Sequence, residues 1–356
     1  MIYYTIAAIF PLFMWGINDY MVKYYRLDGR KKEKLRNKMA VLAIVPMFLL
    51  FVLRYKYVGV DTIGYVRFFQ EEIRKYSFLE LLNQDLMRTE IGYRLYVKFI
   101  SLFTKNYTVY FAVNGVVIFG ALLHFTKNYT KNPFVFFFAF MTLGTYSFIE
   151  TGLRQAFAMM ICLWAVDFIR DKKPIRFVLL VLLAFLFHKS ALIFLIIYPL
   201  TAIKKYEWMV TAYVAMAGIM FFGFAGFQDL FNQLLGYGYE VEETGNGMIF
   251  MMFVLVLFAF SLFLMRNKPK EVNGQELIVQ MSLMTVLFWV LRLVSRTAER
   301  ISFYFIYGLY IYFSQAVLHD KDRFASLFKW LLILACFVLF VYRNLGTSYQ
   351  FFFQGA

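Results

Sequence analysis

Cysteine, histidine and acidic residues are scarce in this sequence. Its 356 residues include two cysteines, three histidines, and 22 Asp and Glu against 37 Lys and Arg. Cys162 and Cys336 both lie inside apolar stretches, which argues against a disulfide framework and favours small buried side chains. So few histidines also argue against a histidine metal cluster. A glycine-rich phosphate loop, a zinc motif and a nucleophile elbow are likewise absent from the sequence.

Polar residues are too few for a soluble globular domain. Hydrophobic residues make up 62% of the chain, and the mean hydropathy is +0.62. The apolar runs are continuous rather than alternating, which excludes barrel strands. The composition therefore predicts an all-α polytopic membrane protein. The net charge of +15 suits the cytoplasmic face of an anionic bilayer better than nucleic acid, because much of it sits in short loops.

About twelve membrane spans are predicted from the apolar runs. They lie near residues 2–18, 39–53, 107–124, 133–148, 153–169, 175–187, 191–202, 208–226, 247–265, 276–294, 301–317 and 328–342. The first run has no basic residue before it and no small-residue cleavage site, so we expect a retained span rather than a signal peptide. We expect residues 1–356 to form a single integral membrane domain with both termini external.

Basic loops predict which side of the membrane each connection occupies. Eight Lys and Arg residues between Lys23 and Lys38 place the first connection in the cytoplasm. The basic loops at 127–131 and 170–173 follow the same rule, and those at 204–205, 266–270 and 319–323 follow it only if the chain reverses at His188–Ser190. Two short spans would then meet at a turn below the outer surface, where backbone must be buried in protein or line a cavity.

Residues 54–106 are predicted to be an external loop that contains amphipathic helices. The apolar positions of the first helix recur at helical spacing: Val66, Phe69, Ile73 and Tyr76. This pattern predicts that part of the loop lies on the membrane surface. A second helical stretch places Glu90, Arg94, Lys98 and Ser101 on one polar stripe in apolar surroundings.

Ionisable residues collect on the external side of this topology. They are Arg54, Asp61, Glu90, Glu150, Arg154, His188, Arg292, Arg296 and Arg300. Ionisable groups at membrane depth are costly and are functional-site hypotheses by default. Clustered arginines suit a lipid-linked diphosphate, because the guanidinium fork binds phosphate oxygens bidentately. The alternative is pairing between neighbours, Glu150 with Arg154 and Arg296 with Glu299.

Three smaller features have both a structural and a functional interpretation. His188, the only histidine placed outside, is either a polar cap on a helix turn or a base for a sugar hydroxyl. Asp61 follows Gly59 in a predicted turn, so a helix N-cap is its structural alternative. Asp320 and Asp322 have the spacing of a metal-binding pair for nucleotide sugars, but they fall in a basic cytoplasmic loop and are interpreted as ordinary loop residues.

Four motifs resemble the EpsG family of Wzy-like polymerases. They are Arg54 with Val58-Gly-Val-Asp61-Thr and Tyr65, then Glu90-Ile-Gly-Tyr93, then Gly152-Leu-Arg154-Gln155-Ala-Phe-Ala158, then Phe187-His188-Lys-Ser190-Ala191. The likeness covers roughly residues 1–200. The C-terminal third is similar only in its span pattern and in Arg300 near the start of a span.

The resemblance implies a GT-C-like glycosyltransferase in the bacterial cell membrane, acting in exopolysaccharide, capsule or O-antigen synthesis. Such an enzyme joins repeat units carried on undecaprenyl diphosphate at the external face, without metal, cofactor or nucleotide sugar. Its partners would be membrane lipids and the chain-length regulator and flippase of the same pathway. Two rival functions are a lipid-linked oligosaccharide flippase and a ligase that moves finished glycan to another acceptor.

Specific residues are expected to divide the chemistry between them. The base is expected to be His188, then Glu90, with Asp61 as a third alternative. The residues expected to bind the diphosphate or sugars are Arg54, Tyr65, Arg154, Gln155, Arg292, Arg296 and Arg300.

Overall fold

Helices dominate the computed structural model, which describes residues 1–83, 89–203, 205–235, 247–265, 274–318 and 323–354. In chain order the α-helices of these residues are α1 (Ile2–Tyr24), α2 (Gly29–Leu53), α3 (Thr62–Arg67), α4 (Ile91–Ser101), α5 (Tyr107–Tyr129), α6 (Pro133–Thr142), α7 (Thr145–Thr151), α8 (Leu153–Arg170), α9 (Pro174–Phe185), α10 (Ile197–Leu200), α11 (Tyr206–Leu235), α12 (Met248–Met265), α13 (Gln275–Leu291), α14 (Thr297–Ser302), α15 (Ile306–Ala316) and α16 (Arg323–Arg343). The predictions for Lys204, for the loop 266–270 and for Asp320 and Asp322 fall outside the described residues.

Eleven of the twelve predicted spans fall on one of these helices or on a consecutive pair, and the span at 191–202 falls on a 3₁₀ helix, Lys189–Ile196, followed by α10. Five of the helices, α1, α2, α5, α12 and α16, are long and apolar enough to cross a membrane. Helices α6 and α7 pass the same test together and are bent by 61° at their junction, where Gly144 adopts φ 87°, a conformation that favours glycine. The other helices are shorter or less apolar, so the total of twelve stays a prediction.

The first basic connection is more helical than the sequence predicts. Helix α1 continues to Tyr24 and α2 begins at Gly29, whereas the apolar runs stop near residue 18 and resume near residue 39. Lysine and arginine are good helix formers, so both helices extend past their apolar parts. The connection proper is therefore only a few residues long.

The chain reverses at His188, as the charge pattern predicts. Phe177 on α9 has its ring centroid 5.4 Å from that of Tyr198 on α10. A straight helix would separate residues 177 and 198 by about 31 Å, at 1.5 Å per residue. The two short apolar segments therefore form a hairpin, and its second arm begins with a 3₁₀ helix, Lys189–Ile196.

The segment between α2 and α5 folds against the protein. Its apolar side, which includes Val66, Phe69 and Ile73, is buried, and Phe69 stacks on Tyr110 with centroids 4.5 Å apart. The apolar positions that favoured a membrane-surface helix therefore pack against the protein, and the place of this segment relative to the membrane stays a prediction. A π-helical turn, Phe68–Glu72, and short 3₁₀ turns connect α3 to the residues before α4.

The polar stripe of α4 holds this segment in place. Arg94 Nη1 donates to the carbonyl oxygen of Asn83 at 2.7 Å, and Lys98 Nζ donates to that of Ile73 at 3.5 Å. Cationic side chains on a largely apolar helix thus satisfy backbone carbonyls of the irregular turns beside it. Arg94 and Lys98 therefore have a structural role.

The two ends of the described chain meet beside the end of α2. The Met1 amine donates to the carbonyl oxygen of Thr347 at 3.1 Å. The Tyr349 hydroxyl donates to the carbonyl oxygen of Leu50 at 2.7 Å, and the Tyr55 amide donates to that of Gln350 at 2.8 Å. The C-terminal residues therefore cover the end of α2.

Candidate functional site

The start of α4 and the start of α8 meet through an ion pair. Arg154 Nη1 donates to Glu90 Oε2 at 2.5 Å, and the Glu90 side chain is 3% exposed while that of Arg154 is 30% exposed. A charge-assisted bond of this length fixes the guanidinium group. The carboxylate is thus enclosed, and part of the guanidinium group remains accessible to a ligand.

A glycine brings this pair next to the hairpin turn. The Gly92 amide donates to the carbonyl oxygen of Leu186 at 2.8 Å. A Cβ atom at position 92 would lie only 2.7 Å from that oxygen, so a larger residue does not fit without movement. The start of α4 is therefore docked on the turn that precedes His188.

His188 lies buried at the hairpin turn and is oriented by a chain of hydroxyl groups. Its Nδ1 atom is 2.6 Å from Ser190 Oγ, and Ser190 Oγ is 2.9 Å from the Tyr304 hydroxyl. His188 occupies the N-cap position of the 3₁₀ helix that follows, as the structural alternative predicts, but its side chain forms no cap hydrogen bond with that helix. The charges of Glu90, Arg154 and Arg300 act electrostatically on the ring.

Helix α3 supplies the outer edge of the site. The Tyr65 hydroxyl lies within electrostatic reach of Arg154. Burial raises the pKa of Tyr65, although Arg154 opposes the shift, so the phenol stays protonated at neutral pH. Asp61 lies one turn earlier with an exposed side chain, and it makes no side-chain cap hydrogen bond to α3. Asp61 thus occupies the N-cap position of α3, as predicted, but its side chain does not cap the helix.

The arginines near α14 differ in their surroundings. Gln155 Nε2 donates to the backbone carbonyl of Arg300 at 2.7 Å, which ties α14 to α8. The side chains of Arg296 and Arg300 are exposed and, four residues apart, share one side of the chain. Arg292 is buried and donates through Nε to Glu299 Oε2 at 3.0 Å. Arg296 and Arg300 are therefore accessible, whereas Gln155 and Arg292 have structural contacts.

Arg54 belongs to a separate buried cluster with Glu150. Its guanidinium group has no exposed surface and lies 3.9 Å from the Glu150 carboxylate. It sits over the rings of Phe51 and Phe111, at 4.4 and 4.3 Å. The Tyr4 hydroxyl donates to Glu150 Oε2 at 3.1 Å. A guanidinium group enclosed in this way contacts no substrate in this conformation.

The pairing of near neighbours predicted from the sequence is wrong for Glu150 and Arg154. Glu150 pairs with Arg54, and Arg154 pairs with Glu90. Each acid thus pairs with a cation from a distant part of the chain, and the two ion pairs differ in exposure. The Arg54–Glu150 pair is closed to solvent, whereas the arginine of the Glu90–Arg154 pair is partly exposed.

The family model of EpsG matches residues 38–354, nearly the whole chain. The chain belongs to the EpsG family. EpsG proteins are Wzy-like polysaccharide polymerases, so the family relation extends through the C-terminal third, where the motif resemblance was weakest. No curated protein and no solved structure matches the chain.

Two polar residues of this EpsG protein were missed as candidates from the sequence. Ser190 stands in the motif around His188, and its spacing of two residues was the available signal. Tyr304 is one of 26 tyrosines and gave no signal, because its contact with Ser190 spans 114 residues. Among the described residues, no group of three or more His, Cys, Asp and Glu side chains could hold a metal ion.

Proposed function

We propose that this EpsG protein joins repeat units carried on undecaprenyl diphosphate at the external face of the bacterial cell membrane. The observation that supports this proposal best is the docking of the Glu90–Arg154 ion pair, through Gly92, on the turn that carries His188, with Arg300 in electrostatic reach of the histidine. These residues come from four separate segments of the chain. They combine positive charge for a diphosphate with groups that accept a proton from a sugar hydroxyl.

The arginines act on the leaving group. The bond between the anomeric carbon of the donor and the diphosphate oxygen breaks, and its electron pair stays with the diphosphate. Charge held in position where this negative charge develops stabilises the transition state. Arg154 is fixed by Glu90, and the exposed Arg296 and Arg300 approach the diphosphate from α14.

His188 acts on the acceptor. The acceptor hydroxyl attacks the anomeric carbon to form the new glycosidic bond, and its proton passes to the imidazole. Glu90 stabilises the imidazolium that forms, and Ser190 holds Nδ1 through the bond at 2.6 Å. Glu90 is the second candidate for the base, although its carboxylate already accepts a hydrogen bond from Arg154. Asp61, at the exposed edge, is the third.

The proposed topology matches this chemistry. Twelve spans in a GT-C-like arrangement place the hairpin turn at the floor of an outward-facing cavity and the basic loops in the cytoplasm. A lipid-linked donor would then present its diphosphate at the depth of the arginines. A flippase would supply the repeat units to this face, and a chain-length regulator would act on the product.

Purified protein in nanodiscs, supplied with lipid-linked repeat units, tests the proposal. We expect a ladder of polymer lengths without any second protein; a flippase would give no ladder, and a ligase would transfer a single unit. His188→Gln should lower turnover by about 10²–10⁴ because glutamine takes no proton at neutral pH. His319→Gln, in the predicted cytoplasmic loop, is the matched control.

Measuring donor binding separately from turnover distinguishes the base from the residues that bind the diphosphate. Retention of lipid-linked donor should be unchanged in His188→Gln, because the arginines hold the diphosphate. Near-normal turnover in well-folded His188→Gln would exclude the base role and assign it to Glu90. Activity should also persist in chelator, and activity that chelator abolishes and a divalent ion restores would contradict the proposed mechanism.

A further inference from the structure

A pocket lies between α2 and α5, at the ends that the basic loops are predicted to place in the cytoplasm. Its volume is about 280 Å³. It is lined by Arg36, Asn37, Ala40, Val41, Leu123, His124, Thr126, Lys127, Thr130 and Pro133. The pocket shares no residue with the site around His188, so its ligand is a separate question.

The polar lining of the pocket is cationic. Arg36 and Lys127 contribute two positive charges, and the lining includes no acidic side chain. The Arg36 side chain is only 16% exposed, and the carboxylate of Glu33 lies 4.0 Å from its guanidinium group. The Arg36 guanidinium group is largely removed from water, and its ion pair with Glu33 is long. An anion that enters the pocket would therefore stabilise this charge.

His124, which also lines the pocket, is held in place by its neighbours. His124 stacks on Trp164 with ring centroids 3.7 Å apart, and its Nε2 atom is 2.6 Å from Asp167 Oδ2. Asp167 also accepts a hydrogen bond from Tyr129 at 2.8 Å and pairs with Arg170 at 3.1 Å. The carboxylate behind the pocket is thus bonded on both oxygens.

Apolar side chains continue from the pocket along the outside of both helices. On α2, Val41 is 50% exposed and Val45 is 38% exposed; on α5, Val116 is 64% exposed and Val117 is 39% exposed. Both helices are long and apolar enough to cross a membrane. An amphiphile that places its anionic group in the pocket can therefore lay its hydrocarbon along these faces.

We propose that this pocket binds the phosphodiester headgroup of an anionic glycerophospholipid, whose acyl chains lie along α2 and α5. The volume of 280 Å³ is just below the roughly 300–1,000 Å³ of pockets that enclose whole small ligands, so it suits a headgroup. Basic pockets between membrane helices on the cytoplasmic side bind such headgroups. The proposal is independent of the polymerase reaction.

Lipid counting on the full-length purified protein tests the site. The protein in neutral detergent is titrated with phosphatidylglycerol, and in parallel with phosphatidylcholine, and bound lipid is counted by native mass spectrometry. We expect preferential binding of phosphatidylglycerol to wild type. The double substitution Arg36→Gln with Lys127→Gln should weaken that binding about 30-fold, since each basic residue contributes about 1 kcal/mol near an anionic lipid and 1.4 kcal/mol is tenfold.

Matched variants make the result decisive. Lys31→Gln with Lys32→Gln removes the same charge from exposed positions on α2 and should bind phosphatidylglycerol like wild type. Exchanging the cations, Arg36→Lys with Lys127→Arg, should also retain binding. Equal binding by the two double-glutamine variants would overturn the proposal. Displacement of the lipid by excess inorganic phosphate would overturn the lipid assignment in favour of a soluble anion.

Discussion

Substitution of Gly92 by alanine should separate Glu90 from the hairpin turn without altering any side chain of the site. The added Cβ would lie 2.7 Å from the Leu186 carbonyl oxygen and 2.8 Å from the Leu186 Cβ. Neither neighbour is the flexible end of a side chain. The start of α4 must therefore move, and the Gly92–Leu186 hydrogen bond of 2.8 Å must lengthen.

The size of the effect follows from these distances. Restoring a contact of about 3.4 Å requires a shift of about 0.7 Å, the difference from the 2.7 Å available. Overpacking of this kind costs about 1–3 kcal/mol of unfolding free energy. A misplacement near 1 Å can lower a rate about 10²-fold, so we expect turnover to fall by about 10- to 100-fold.

Turnover is measured from the polymer ladder of the purified enzyme, and stability from its thermal unfolding in detergent. Gly64→Ala is the matched control, because Gly64 lies in α3 and has nothing within 4 Å of an added Cβ. That control should be neutral or slightly more stable, since alanine favours a helix by about 1 kcal/mol. The same turnover for both variants would show that the close approach at Gly92 does not position Glu90.

Three further predictions concern charge. Arg154→Lys and Arg300→Lys should lose most polymerisation although charge is kept, because lysine lacks the bidentate fork; full-length polymer at normal expression would make these arginines structural. Arg54→Leu should cost about 3–5 kcal/mol of unfolding free energy by leaving its carboxylate partner buried and unpaired, and removing that carboxylate as well should restore most of it; equal stability of the single and double variants would contradict the argument. A cysteine introduced at His188 should react with an impermeant reagent added outside, and a cysteine introduced at Lys172 should not. The opposite pattern would show that the predicted topology is reversed.

Charge parity was enough to predict the reversal at His188. A continuous helix through His188 would have placed an acidic loop on the cytoplasmic side with the basic loops. This conflict with the charge rule is visible in the sequence alone. The helix ends were less predictable. The first apolar run ends near residue 18, and hydropathy alone does not predict that the basic residues after it continue the helix.

The partners of the buried charges could not be predicted from the sequence. Spacing rules describe neighbours on one helix, so they favoured Glu150 with Arg154. The observed partner, Arg54, lies at the end of α2 and becomes a neighbour only when that helix packs beside α7. Likewise, the EpsG motif around His188 identified the histidine, but the hydroxyl chain through Ser190 depends on Tyr304, which only the packing of α14 and α15 brings near.

The meeting of the two chain ends has a consequence for synthesis of the protein. The hydrogen bond from Met1 to Thr347 spans 346 residues, and ribosomes add about 5–20 residues per second. The first helix therefore waits roughly 20–70 s for its last contact, while hairpins such as α9–α10 can form as they emerge. Throughout that interval the region around Arg54, which later pairs with Phe351, lacks its C-terminal cover. A ribosome stalled late in translation should thus hold an otherwise inserted chain whose Arg54 cluster is still open to water.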